Sequence, residues 1–301
     1  MGAQSLAQRL ARITWGRVIA WIVLWSFILA TVLPFYWMLR TALSDNQALA
    51  AQSFSLLPAD FTLGPFERVF GLATPEEALA EGGSGASLSF WLYLRNSLIV
   101  STAVTVGQVL FCSMAAYAFS RLRWPGRDAW FAVFLGALLV PPIFTALPNF
   151  LTVKSVGLLN TLPGIMLPSL FMTPFAIFFM RQFFLGIPRE IDEAAMIDGA
   201  RPWRIFFRII LPISAAPVTT LGILTFISSW NDYFWPLLVG QTEESKVLTV
   251  ALGIFRSQTP QGAPDWAGLM AASLVAALPI VILYAVFGRR VINSIGFSGI
   301  K

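Results

Sequence analysis

Six stretches of mostly apolar residues, each about as long as the roughly 20 residues needed to cross a bilayer core, run through this sequence at about 18–39, 90–118, 129–153, 162–180, 209–239 and 267–288. In hydrocarbon every backbone N–H and C=O must be satisfied within the protein, so stretches of this kind must be helical. Composition agrees: of 301 residues 57% are hydrophobic and only 12% charged, about half the charged share of a soluble domain. The expected fold is an all-α integral membrane protein with six transmembrane helices. The second and fifth stretches exceed one crossing, so they would tilt or run past the bilayer as soluble helix.

What the chain lacks narrows its chemistry. It has no histidine, which removes the commonest general base, proton shuttle and metal ligand, and with them most hydrolase and metalloenzyme readings. It has no Gly-x4-Gly-Lys-Ser/Thr phosphate loop, so energy for any transport must come from elsewhere. No catalytic residue, metal site or cofactor is expected. Cys112, the one cysteine, sits in an apolar run and reads as a small buried hydrophobe.

Arg9, Arg12 and Arg17 precede the first stretch, as they would in a signal peptide, but the apolar run is too long and ends in Pro34, aromatics and Arg40. It reads as an uncleaved anchor. With a cytoplasmic N-terminus, the inside segments hold Arg121, Arg123, Arg127, Arg181, Arg189, Arg201, Arg204, Arg208, Arg289, Arg290 and Lys301 as well, most of the 20 Lys and Arg residues. The positive-inside rule therefore puts both termini in the cytoplasm. The organisation is a cytoplasmic segment at 1–17, one membrane domain at 18–288 and a cytoplasmic tail at 289–301. Outside segments lie at 41–89, with a Gly/Ser-rich turn at 81–87, and at 240–266. Pro141, Pro142, Pro148, Pro163, Pro168, Pro174, Pro217, Pro236 and Pro279 lie in or beside the stretches, where each removes a backbone donor and can kink a helix, which favours a transporter or channel over a simple anchor.

The inside loop at 184–208 is the most informative. Pro188 suits a first helical position, and Glu190, Asp192 and Glu193 complement the positive end of a helix dipole. Gly199 suits a left-handed stop and Pro202 a second helix start. Ile187, Ile191, Ala194 and Ala195 fall at helical spacing and form a thin apolar stripe. So short a helix has little of its own chain to bury against, which suits a groove on a partner or a position flat on the membrane.

Glu193-Ala194-Ala195, three residues, Gly199, nine residues, then Ile209, Leu211 and Pro212 resembles the EAA motif (EAA, x3, G, x9, I-x-L-P) of inner-membrane permeases of binding-protein-dependent ABC importers. Every fixed position is present. Asn96-Ser97-Leu98, the run from Ala115 to Arg121, and Trp230-Asn231-Asp232-Tyr233 resemble the carbohydrate-uptake branch, in particular the smaller permease of maltose-type systems. The resemblance covers about residues 10–301; the tail, Gly296 to Lys301, departs from it.

The resemblance implies a type I importer permease fold in a bacterial or archaeal inner membrane. It also implies partners: a second permease, two ATP-binding subunits that carry ATP and Mg, an extracytoplasmic solute-binding protein docking on the outside segments, and lipid, with no nucleic acid. Glu193 would anchor a coupling helix to the ATPase, Ala194 and Ala195 would form its close-contact surface, and Gly199 its turn, with Ile191, Asp198, Leu211 and Pro212 in the same element. Arg201, Arg204 and Arg208 would hold the loop at the anionic inner leaflet.

Asp232 is the carboxylate placed inside a stretch, and an ionisable group at that depth marks a functional site. Beside it Trp230, Asn231 and Tyr233 offer hydrogen bonds and flat apolar faces that suit a sugar. Interfacial aromatics and a structural hydrogen bond would explain the same residues. Gln108, Asn149, Asn160 and Ser228 are further pathway candidates, while Arg95 reads as snorkelling to the interface. The expected function is import of a sugar or oligosaccharide, with alternatives in a glycerol-phosphate or other polar-solute importer and in an ion-coupled secondary transporter.

Overall fold

The computed structural model describes residues 15–51, 55–83, 88–257 and 264–296. Arg9, Arg12, the 84–87 part of the Gly/Ser-rich piece and the tail at 297–301 lie outside them, as do the side chains of Arg256, Arg289 and Arg290. Among the described residues the regular structure is helical, apart from one isolated bridge between Ser44 and Phe61. In chain order the helices are α1 (Trp15–Ala42), α2 (Asn46–Ala51), α3 (Gly64–Phe70), α4 (Pro75–Ala80), α5 (Phe90–Arg121), α6 (Arg127–Ala137), α7 (Pro142–Ser155) and α8 (Leu162–Leu170). They continue with α9 (Pro174–Leu185), α10 (Glu190–Ile197), α11 (Pro202–Ile205), a π-helical turn (Phe206–Ile210), α12 (Leu211–Ile213), α13 (Ala215–Trp230), α14 (Phe234–Val239), α15 (Leu248–Ser257) and α16 (Trp266–Gly296).

Three helices, Trp15–Ala42, Phe90–Arg121 and Trp266–Gly288, are long and apolar enough to cross a membrane. Three further apolar pairs are bent at a break: α6 and α7 by 100°, α8 and α9 by 44°, and Pro202–Ile213 and α13 by 82°. Counting each pair as one broken crossing gives six. Proline stands at each break, Pro141 and Pro142 at the first and Pro174 opening the helix after the second. At the third, Pro212 has no N–H for the carbonyl four residues back, and the preceding turn widens to π geometry. The stretch expected as one helix at 209–239 is therefore broken twice, at Ser214 and again after Trp230.

The chain divides into two compact units, residues 1–87 with 255–275 and residues 88–254 with 276–301. In the first, the outside segment folds into α2–α4. The Thr74 hydroxyl and the Glu77 carboxylate form a capping box that holds the Glu77 carboxyl below the usual range. Buried Arg68 ties α3 to Glu81 at 2.5 Å and to Asp265 at 3.3 Å. Asn46 donates to the Gly82 carbonyl at 2.6 Å.

The second unit is organised around α5, which packs against α13, α9 and α8. Gly107 permits the closest approach: a Cβ there would stand 2.3 Å from the Leu170 carbonyl oxygen. The core gathers Cys112, Ala116 and Tyr117 of α5 with Ile177, Met180 and Phe184 of α9 and with Phe206 and Ile210. Side chains of α5 also satisfy the backbone freed where α8 breaks from α9. Gln108 donates to the Ser169 carbonyl at 2.8 Å, and Cys112 accepts from the Thr173 N–H at 3.4 Å. Cys112 is buried as expected.

Candidate functional site

The EAA segment folds as the expected helix, glycine turn and second helix. α10 begins at Glu190, so Pro188 precedes it rather than opening it, and its first turn carries Glu190, Asp192 and Glu193. Gly199 follows with φ +76°. Its N–H donates to the Met196 carbonyl at 3.0 Å, and the Ala200 N–H donates to the Ala195 carbonyl at 2.9 Å, the paired bonds of a Schellman stop. A Cβ at Gly199 would meet nothing within 4 Å, so the backbone conformation, not space, calls for glycine. The peptide then reaches Pro202 in the first turn of α11.

The faces of α10 differ from the expected stripe. Asp192 and Ala195, each 8% exposed, turn toward the body of the chain, and Ala195 joins the core beside Ile187 and Ala200. Glu193, Ala194, Asp198 and Met196 face outward with Ile197, which is 86% exposed. Ala195 is thus part of the helix's seat and not of its outward contact surface. This follows from the 3.6-residue period, which puts 191, 192 and 195 on one side. Ile191 and Leu211 are half-buried, Leu211 packs against the core, and Pro212 is exposed beside the bend.

A buried arginine fastens the seat. Arg121, the last residue of α5, donates to the Asp192 carboxylate at 2.9 Å and to the Phe184 and Ile187 carbonyls, each at 2.5 Å. Burial pushes the Asp192 carboxyl above the ordinary range, and Arg121 and Arg189 offset this only in part. Sequence reasoning passed over this pair. Its one signal was an arginine closing a long apolar run.

On the same unit a cavity of about 700 Å³ opens between α5, α8, α9 and α13. Its polar lining includes Gln108, Ser169, Thr173, Thr225, Ser228 and Asp232, against an apolar wall that includes Val100 and Val104. Asp232 lies in the break after α13, where its carboxylate accepts the Trp235 N–H at 3.5 Å. Asp232 is the one ionisable side chain among the lining residues.

The four consecutive pathway candidates are not brought together. Asp232 lines the cavity and Trp230, Asn231 and Tyr233 do not. Trp230 is 4% exposed, stacks on Phe226 and donates its indole N–H to the Ala276 carbonyl at 3.1 Å, so its role is packing. Asn231 returns its amide to the Ile227 carbonyl of its own helix at 2.9 Å, and Tyr233 is exposed. Of the further candidates, Gln108 and Ser228 reach the cavity. Asn160, with φ +58°, instead holds a turn by accepting the Gln241 N–H at 2.9 Å, and Asn149 is not among the lining residues. Arg95 is exposed.

Residues 84–293 match the family model described as binding-protein-dependent transport system inner membrane component. The diacetylchitobiose uptake system permease protein NgcG of Streptomyces coelicolor is 31% identical over 277 residues, 92% of this chain and 85% of that protein. The sn-glycerol-3-phosphate transport system permease protein UgpE of Pectobacterium atrosepticum is 31% identical over 263 residues, 87% of this chain and 89% of its own length. The fold matches a solved bacterial ABC transporter involved in import of the acidic polysaccharide alginate, with a TM-score of 0.75 at 23% identity, covering 90% of this chain and 95% of that one. The EAA segment and its Schellman stop, the broken apolar helices and this breadth of similarity have one common account: the chain belongs to the family of binding-protein-dependent transport system inner membrane components, the permeases of ABC importers.

Proposed function

We propose that the chain is the non-catalytic membrane subunit of an ATP-driven importer of an uncharged sugar or oligosaccharide. It works with a second permease, two ATPase subunits that carry ATP and Mg, and an extracytoplasmic binding protein. α10 faces the cytoplasm, as do both termini, and docks on the ATPase through Glu193, Ala194, Met196 and Ile197. The observation that carries this reading is that outward face: Ile197 and Met196 stand 86% and 53% exposed on an eight-residue helix whose other side is fastened down. Leaving such groups in water is unfavourable by about 25 cal/mol per Å² of apolar surface, and a groove on a partner removes that cost.

The cavity is the solute path. Closure of the ATPases moves α10, the helices around the cavity open it outward to the loaded binding protein, and ATP hydrolysis on the partner resets them. Gln108, Thr225 and Ser228 offer hydrogen bonds to hydroxyls, and the apolar wall offers contact to C–H faces. The glycerol-phosphate relative supports a second reading. Against it stands the lining, among whose residues there is no Lys or Arg to hold a phosphate.

Mild-detergent purification of the tagged chain from its own membranes, with mass spectrometry, should recover an ATPase and a second multi-span permease. Glu193→Lys and Ile197→Asp should insert normally yet lose the ATPase and at least 90% of uptake, roughly a tenfold loss. Normal uptake by both variants would sink the docking assignment. In the reconstituted system a labelled disaccharide should be taken up in preference to sn-glycerol 3-phosphate, and the reverse would favour the second reading.

A further inference from the structure

The same guanidinium that seats α10 closes the helix that lines the cavity. Arg121, its side chain 4% exposed, bonds three successive pieces of chain: the last turn of α9 at Phe184, the link at Ile187, and α10 at Asp192. Thirteen residues back along α5, about 20 Å at the helical rise, Gln108 lines the cavity, with Val104 and Val100 beyond it. The rest of the seat is apolar, with Ala195, Ile187 and Ala200 against the core. Apolar contacts are non-directional and permit sliding. A planar fork with three acceptors fixes orientation as well as distance.

A buried ion pair is also weak evidence of stabilisation, since apolar residues of similar volume commonly do as well. What it supplies is register. The nearby Arg181 ties α9 to the same end of α5, donating to the Phe119 carbonyl at 3.3 Å with its guanidinium 4.0 Å over the Phe131 ring and 3.9 Å from Asp128, and among the described residues it makes no bond to α10.

We propose that Arg121 is a positioning residue for transport: by locking α10 to the end of α5, it makes α5 and its cavity-lining residues move with α10 when the ATPases close. This rests on the reading in which α10 meets the ATPase. The lock is specific to α5 and α9, so loss of it leaves α10 docked while the cavity wall lags behind.

The test uses the complete complex, in a Cys112→Ala background, with spin labels at Glu190→Cys on α10 and Met114→Cys on α5. Both positions are exposed. The distance distribution is read without nucleotide and after trapping with Mg-ATP and vanadate. With the Arg121–Asp192 pair intact, the two distributions should coincide. In Arg121→Lys, which keeps the charge but loses the fork, and in Asp192→Asn, which leaves Arg121 both carbonyls, trapping should shift the distance by about 3 Å, roughly half a helical pitch.

Mere loosening would broaden both states alike, so the nucleotide-dependent shift reports the lock. Variants whose distributions coincide as those of the wild type do, with the ATPase still bound, would overturn the inference and leave the functional reading intact. Absence of an ATPase from the wild-type complex would overturn the functional reading itself, and the inference with it.

Discussion

The two ends of α5 are tied to their neighbours by opposite chemistry. At the Phe90 end the ties are neutral apart from that of Tyr93 to a carboxylate: the Asn96 amide donates to the Glu244 and Lys246 carbonyls at 2.8 and 2.9 Å, and Ser97 accepts the Leu248 N–H at 2.8 Å. The charged members there, Glu243 and Lys246, bond each other at the rim, where the Tyr93 hydroxyl also reaches Glu243. At the Arg121 end one buried charge does the fastening. Neutral side chains can hold a segment with little penalty if one bond is lost. A buried charged pair makes its segment all-or-none, because removing one partner strands the other. An end that must carry motion gains from the second arrangement, and an end that only retains a loop is served by the first.

The sharpest way to break this comparison is to truncate each end in turn. Arg121→Ala strands Asp192 and two carbonyls, so thermal unfolding in detergent should show a loss of about 3–5 kcal/mol. Asn96→Ala should cost about 1–3 kcal/mol, the price of two carbonyls left unpaired, and should raise hydrogen exchange at 246–248 while leaving 190–197 protected. Equal losses at the two ends, or a larger one at Asn96, would contradict the contrast.

The smallest effect is a difference in sign with pH. Bonds from Lys246 and Tyr93 hold the Glu243 carboxyl below its usual 4.5, so its contribution is present above that value and lost as pH falls through the lowered one. Burial instead raises the Asp192 carboxyl above its usual 3.8, so the folded state takes the proton more readily and this group's contribution grows as pH falls through that window. On acidification the stability gap between wild type and Glu243→Gln should narrow, while wild type should gain on Asp192→Asn. Unfolding midpoints of the three proteins from pH 7 to about 3 check both, and matching trends would show the ends to be electrostatically alike.

The contrast also shows what is legible in a string of residues. The EAA segment could be read because its information is local: acids in the first turn, a glycine whose φ is positive, and a proline opening the next helix each act on their own few residues. The pathway run Trp230 to Tyr233 could not. Neighbours in sequence point in different directions at a helix end, so its four members went to packing, to their own helix, to the cavity and to the surface.

By itself the sequence determined that the chain must lie in a membrane as helices, since so few charges and such long apolar runs leave no other way to satisfy the backbone. It also marked with proline where those helices could break, but Pro148, Pro168 and Pro279 lie inside unbroken helices and the break after Trp230 has no proline in it. Only the tertiary structure decided that Arg121 reaches across 71 positions to Asp192, that Ala195 is seat and Ala194 surface, and that Gln108 and Asp232 share one cavity. Those are properties of packing between helices, and no local periodicity encodes which of a helix's neighbours a side chain will meet.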